Sequence, residues 1–476
     1  MTDTAAPTRT ERDSMGEFEV PASAYYGATT MRAVVNFPIS DLRMPAEFIH
    51  AVALIKQSAA AVNAELGLLD TALAEIIANA AQDVVEGKLD GEFPIDVFQT
   101  GSATSTNMNA NEVISNRAIE LLGGQRGSRT PVHPNDHVNL GQSSNDVIPT
   151  AIHLSAATAI NERLLPALAV LERSLRARSE EFWGIVKTGR THLQDATPIR
   201  LGQEFLGFAG QAERAGARAR RALEELLELS LGGTAVGTGV NTHPEFASRV
   251  VARLSQKTGL ALRETDNHFQ SQSTLDSAVA ASGQLKSVAV SLYSMANNIR
   301  LLGCGPRAGI GEIALPAVQP GSSIMPGKVN PVICESVTMA SAQVVGIDAT
   351  IAFSGAAGSL FELNVMMPVV AYGLLQAITI LAASARNLAT QCIDGIEATE
   401  RGPELVERGL MTTTGLAPRI GYDAAAAIAK KAFASGRTIR EVAREQTDLG
   451  EEELRELLDP ERMTVPSLDT IGSGGG

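Results

Sequence analysis

Long helical runs without internal caps constrain this chain more than any other feature. Apolar residues recur at helical spacing along Ala46–Leu66, Leu165–Val186, Leu201–Leu231, Ser282–Leu302, Pro331–Ile351 and Leu363–Ile393. Runs of roughly 20 to 30 residues exceed ordinary globular helices and predict a bundle of long ones. Strand signals are scarce: aromatic residues make up 4% of the chain, and β-branched alternation is short wherever it occurs. A few short strands are expected near the N-terminus. The fold class is therefore all-α, mainly helical. The 476 residues divide into an N-terminal region, 1–141, a central helical-bundle region, 142–397, and a small C-terminal helical region, 398–476. The Gly-rich end, Gly472–Gly476, reads as a flexible tail.

One run raises the question of a membrane. Leu363–Ala385 carries no charge and is long enough to span a bilayer. It contains Asn364, Pro368, Gly373, Gln376 and Thr379, no second such segment is apparent, and no aromatic belt flanks it. A helix apolar all round is equally at home inside a large bundle, and that is the expectation here. With 39 basic and 53 acidic side chains the formal net charge is -14, which argues against nucleic acid and anionic membrane surfaces as partners. A local pocket can still be positive. Cys304, Cys334 and Cys392 have no metal-ligand spacing and read as reduced thiols of a cytoplasmic protein. Met1–Arg12 is polar and charged, without the apolar stretch of a secretory signal.

Polar, Gly-rich segments between the helices hold the chemistry. Gly321–Pro331, GSSIMPGKVNP, packs two glycines, two hydroxyls, an ammonium and an amide into one loop. Backbone N–H groups beside Lys328 would suit a carboxylate or oxyanion; the plainer alternative is an ordinary connection, with Asn330-Pro331 starting the next helix. Gly189–Pro198, GRTHLQDATP, carries His192. A lone histidine is more often a structural hydrogen-bonder, but Arg190, Thr191 and Gln194 beside it favour a general base. Thr100–Glu112 offers hydroxyls and amides that could orient carboxylates, or simply cap a helix. His133–Asp146, HPNDHVNLGQSSND, places two histidines near two aspartates, yet Pro134 and the loop-like spacing do not match helical metal ligands. Spacing alone does not say whether these segments meet.

Together these segments resemble the fumarase/aspartase superfamily. GSSIMPGKVNP is close to its signature, and the similarity runs from about Arg9 to Gly421-Tyr422-Asp423 and somewhat beyond, nearly the whole chain. Within it, GRTHLQDATP, GTGVNTHPEFA at Gly237–Ala247 and Phe361–Val365 look like class II fumarase; aspartate ammonia-lyases usually carry Gln at the place of His192. There are departures. Ala103 stands where the family commonly has Gly, Leu140-Gly141 precede QSSND where fumarases often have Lys-Ser, and PNDHVN reads as much like an aspartase.

The resemblance implies a homotetramer with a multi-helix core of long central helices, each active site drawing on three subunits. It implies anti addition of water to fumarate, or removal from L-malate, with no cofactor and no metal. Ser322 would be the base, and His192 would act on the opposite side through the water, with Glu335 as its carboxylate partner. Ser102, Thr104, Ser143, Ser144, Asn145, Thr191, Ser323, Lys328 and Asn330 match substrate-binding positions. His133, Asn135 and Asp136 match a second, non-catalytic anion site. By residue type alone, Glu335 would read only as a first-turn glutamate favoured by the helix dipole. Two rivals follow: an aspartate ammonia-lyase, against which His192 argues, and a non-catalytic helical scaffold or binding oligomer, which would tolerate loss of Ser322, Lys328, Asn330, His192 or Glu335.

Overall fold

The structure is a computed structural model and describes residues 7–467; the Gly472–Gly476 tail lies outside them. Helices dominate. The long ones are α1 (Ala46–Glu65), α2 (Thr104–Leu121), α3 (Ser144–Ala159), α4 (Leu165–Glu181), α5 (Leu201–Glu225), α6 (Asp276–Leu302), α7 (Val332–Gly358) and α8 (Met367–Gln391). Every sheet among the described residues has two strands. β1 (Thr8–Asp13) and β2 (Gly16–Pro21) form the expected N-terminal hairpin. A further antiparallel pair, β3 (Val186–Thr191) and β4 (Gln194–Arg200), stands where a loop was expected, at Gly189–Pro198.

The chain divides into two compact units, each collected from three separated segments. Unit 1 is Met1–Pro166, Gly216–Ala289 and Ala340–Ala382; unit 2 is Ala167–Ala215, Val290–Met339 and Ala383–Gly476.

In unit 1, α1 shows how the sequence produces its helices. Pro45 precedes it, where a missing N–H costs nothing, and Glu47 sits in the first turn, where the helix dipole favours a negative charge. Phe48, Val52, Ile55, Ala59 and Val62 then fall on one stripe and are fully buried. Gly67, at φ +72, closes the far end. α3 begins at a capping box: Ser143 accepts the Asn145 N–H, and Asp146 accepts the Ser143 N–H at 2.9 Å. In unit 2 the C-terminal helices enclose their own apolar core of Leu416, Ile428, Val442 and Leu454.

Three helical stretches, Ser144–Glu181, Val332–Gly358 and Met367–Gly395, are long and apolar enough to cross a membrane by length and composition. The sequence reading counted only Leu363–Ala385. Isolated charges such as Glu335 and Asp348 hid the second run, and continuity between α3 and α4 created the third. The helix within Leu363–Ala385 itself starts later, at Met367, after a two-residue strand at Leu363–Asn364. α7 is apolar around its circumference, yet Met339 is 68% and Phe353 67% exposed in the single chain.

Candidate active site

Unit 1 brings together the starts of α2 and α3. The sequence reading treated Thr100–Glu112 as a loop, but it is helical from Thr104 onward. Gly101 comes so close to the Val365 carbonyl that a Cβ would lie 2.0 Å from its oxygen, so only glycine fits. Ala103 then turns the chain into the helix from the left-handed region, at φ +53. The commoner glycine would reach that conformation without strain.

The turn aims three hydroxyls at one another. Ser102 Oγ lies 2.7 Å from Thr104 Oγ1, which lies 2.7 Å from Ser144 Oγ at the first position of α3. Asn145 donates through Nδ2 to the Ala235 carbonyl at 2.8 Å. Two helix N-termini carrying neutral donors form a cradle suited to a carboxylate. Asp146 underpins it. Fully buried, it accepts N–H groups from Ser143, Gly232 and Thr234. Burial raises its pKa above the usual carboxylate value, opposed by those N–H groups and by Lys56.

Unit 2 holds His192, Ser322 and their neighbours. β3 and β4 are joined by the two residues His192 and Leu193, with Thr191 paired to Gln194. Both turn residues have positive φ, +54 and +58, the geometry of a type I′ hairpin turn, which non-glycine residues adopt at a cost of about 1 kcal/mol or more each. That strain leaves the His192 side chain exposed at the tip, beside an exposed Thr191. Strand β3 of the hairpin is anchored by buried charge. Glu312, whose side chain has no exposure, takes two bonds from Arg190, at 2.8 and 3.1 Å, and faces Lys187 Nζ at 3.0 Å. Lys187, equally buried, also reaches Glu204 at 2.9 Å.

The Gly321–Pro331 segment is a closed loop. The Gly321 N–H donates to the Lys328 carbonyl at 2.9 Å, and Asn330 Nδ2 donates to the Gly321 carbonyl at 2.6 Å. A Cβ on Gly321 would lie 2.3 Å from the Lys328 carbonyl oxygen, so glycine is required at the neck. Within the loop, Ser322 Oγ accepts the backbone N–H groups of Met325, at 2.9 Å, and Ile324, at 3.3 Å. Two N–H dipoles on one hydroxyl oxygen stabilise negative charge there. Ser323 and Lys328 are exposed. Lys328 and Asn330 line a cavity of about 1080 Å³ that also receives Arg300, Arg307, Arg401 and Glu404. Glu335 lies in the first turn of α7, half-buried. Among the described residues, the His192 side chain makes no hydrogen bond within the chain, to Glu335 or to any other group.

The segment expected to form a second anion site caps a single π-helical turn, Pro134–Val138. His133 Nδ1 accepts N–H groups from Asn135 and Asp136, at 3.3 and 3.1 Å. Asp136 Oδ2 also lies 3.3 Å from Nδ1, but a nitrogen that accepts two backbone N–H groups has no proton for the carboxylate. The backbone bonds place the imidazole proton on Nε2. Among the described residues no group of three His, Cys, Asp or Glu side chains is arranged to hold a metal ion.

Sequence reasoning missed Asp146, Glu312 and Lys187. Asp146 was visible as the acidic third residue of a Ser-capped helix. Glu312 stands alone among glycines and isoleucines in Gly309–Ile313, where a single charge with apolar neighbours signals a buried ion pair.

Comparison with known proteins places this frame of long helices and polar loops among the lyases. A family model described as "Lyase" matches residues 16–346, and one described as "Fumarase C C-terminus" matches residues 413–465. The chain belongs to the lyase family that contains the class II fumarate hydratases. It is 52% identical to a fumarate hydratase class II of Methylorubrum extorquens, over 97% of this chain and 98% of that protein. Among solved structures, a class II fumarase from Schistosoma mansoni superposes with a TM-score of 0.93 at 39% identity, covering 96% of this chain and 99% of that one. A fumarate lyase:delta crystallin from Brucella melitensis, solved bound to cobalt, also superposes with a TM-score of 0.93, at 44% identity, covering 97% of this chain and all of that one.

Proposed function

We propose that this chain catalyses the reversible hydration of fumarate to L-malate by anti addition of water, without a metal or organic cofactor. The observation that carries this reading is the Ser322 hydroxyl, held in a neck-closed loop with two backbone N–H groups on its oxygen. In the dehydration direction, Ser322 as an alkoxide takes a proton from the carbon beside one carboxylate. The electron pair delocalises onto that carboxylate, giving an aci-carboxylate dianion. The neighbouring carbon–oxygen bond then breaks, and the leaving hydroxyl is protonated through a water held by His192. Glu335 would hold the imidazole in the right tautomer and raise its basicity. Lys328 and Asn330 bind the carboxylate that receives the charge. Ser102, Thr104, Ser143, Ser144 and Asn145 bind the other, with Thr191 and Ser323 completing the site. His133, Asn135 and Asp136 form a separate anion site without a catalytic role.

The same reading makes the working enzyme a homotetramer in the cytoplasm, with no nucleic-acid or membrane partner and each site completed by three subunits. The exposed apolar surface of α7 supports such an assembly, because a helix apolar all round needs partners on every side. The division at residues 141 and 397 belongs to this proposal as the order in which the chain supplies its parts.

Ser322→Ala tests it. Turnover of L-malate should fall at least 10³-fold, about 4 kcal/mol of transition-state stabilisation, with assembly unchanged. A rate within tenfold of wild type would remove Ser322 as the base.

A further inference from the structure

A buried charge beneath the hydroxyl cradle of unit 1 has no place in the mechanism above. Lys56 lies on the apolar stripe of α1, between the core positions Ile55 and Ala59, and has no exposure. Burial, the largest influence, pushes its pKa down to about 7 against the attraction of Asp146. A hydrophobic side chain of similar volume would fill this position at lower cost in stability.

The Lys56 nitrogen is committed to one carboxamide. Lys56 Nζ donates to Asn139 Oδ1 at 2.7 Å. The same oxygen accepts from Asn107 and Asn111, both on α2, at 3.3 Å. The amide nitrogen of Asn139 donates to the Gln142 carbonyl at 3.0 Å, one residue before the cap of α3. A single side chain thus ties α1 to α2 and to the chain entering α3. These are the two helices whose starts bear Thr104 and Ser144, in contact at 2.7 Å.

We propose that Lys56 is a positioning residue for the reaction: through the Asn139 carboxamide it holds the starts of α2 and α3 at the spacing that lets Ser102, Thr104 and Ser144 grip one carboxylate of the substrate. The inference rests on the substrate-binding reading of those hydroxyls. Lys56 touches no proposed substrate contact itself, so its loss weakens binding more than chemistry.

Lys56→Met keeps the length and removes the charge. Its KM for fumarate, and its inhibition constant for succinate, a dicarboxylate that cannot react, should rise at least tenfold. kcat should stay within threefold of wild type, and circular dichroism and assembly should be unchanged. Asn139→Leu should reproduce the effect, and the double variant should be no worse than the more severe single one, because both act through one contact. A KM within twofold of wild type in Lys56→Met, or effects that multiply in the double variant, would overturn the proposal. If Lys56→Met does not fold, Asn139→Leu decides alone: raised KM with kcat kept supports the role, unchanged KM overturns it. Ser144→Ala separates this failure from that of the underlying reading. Should Ser144→Ala raise KM while Lys56→Met does not, the cradle stands and Lys56 has no part in it. Should Ser144→Ala leave KM unchanged, the cradle reading falls, and the role of Lys56 with it.

Discussion

His192 and Leu193 hold a left-handed backbone at the tip of an otherwise regular hairpin. Strain of this kind persists only where the surroundings over-determine it, and it gathers at functional sites. Here it holds an imidazole exposed at the hairpin tip, without a hydrogen bond to the rest of the described chain. His192→Asn should therefore lower kcat for malate dehydration at least 100-fold, the usual scale of a lost general acid or base, while the thermal midpoint stays within a few degrees. Rates like wild type would take the histidine out of the chemistry. At this scale much was legible. His192, Ser322, Lys328 and Asn330 stand in dense polar motifs that mark them as candidates, while residue type alone left ordinary loops open and the roles came from the resemblance to a known family. The strain at His192 was not legible, because the turn lacks the Asn-Gly or Asp-Gly pair that announces a type I′ hairpin. The same applies to Ala103: its departure from glycine was visible, but its positive φ emerged only from the fold.

The elements carry these residues on buried charge. Glu312 joins Lys187 and Arg190 along β3 of the hairpin, just ahead of the Gly321–Pro331 loop in the same unit. Breaking a buried ion pair by removing one partner leaves the other charge uncompensated and costs roughly 3–5 kcal/mol. Glu312→Gln should lower stability by about that amount in denaturant unfolding and reduce turnover with it. A loss below about 1 kcal/mol would mean that water or another carboxylate compensates Lys187 and Arg190. The long periodic run of α1 was readable nearly to its ends, while α6 starts at Asp276, well ahead of the expected Ser282. The β3–β4 strands were not readable, because Gly189 and Pro198 interrupt the alternation that marks a strand. A Cβ on Gly189 would lie 2.5 Å from the Thr197 carbonyl oxygen, so the glycine that obscured the pattern is one the pairing requires.

At the scale of the whole molecule, the proposed catalytic groups fall in two sets. Ser102, Thr104, Ser143, Ser144 and Asn145 belong to unit 1, while His192, Ser322, Lys328, Asn330 and Glu335 belong to unit 2. A site completed by three subunits predicts complementation. Ser322→Ala and His192→Asn proteins, each inactive alone, should regain part of the wild-type rate when unfolded together and reassembled, because some mixed tetramers contain sites with both residues intact. No recovery in mixed tetramers identified by native mass spectrometry would put both residues on one chain. The proposed three-subunit site would bring together sequence motifs that lie far apart. Each is complete as a local structure, and within one chain the Thr104–Ser144 contact joins two of them. Exposed apolar residues such as Met339 and Phe353 on α7 were unremarkable in the sequence, since core and interface share the same composition.

The central claim is that the chain removes water, not ammonia, from a four-carbon dicarboxylate. The most direct test follows the ultraviolet absorbance of the fumarate double bond, with purified protein and a chelator present, after addition of L-malate or L-aspartate. The account predicts a rise with L-malate alone. A rise with L-aspartate alone would leave the fold and the role of Ser322 in place, but would contradict the assignment of His192 and make the chain an ammonia-lyase.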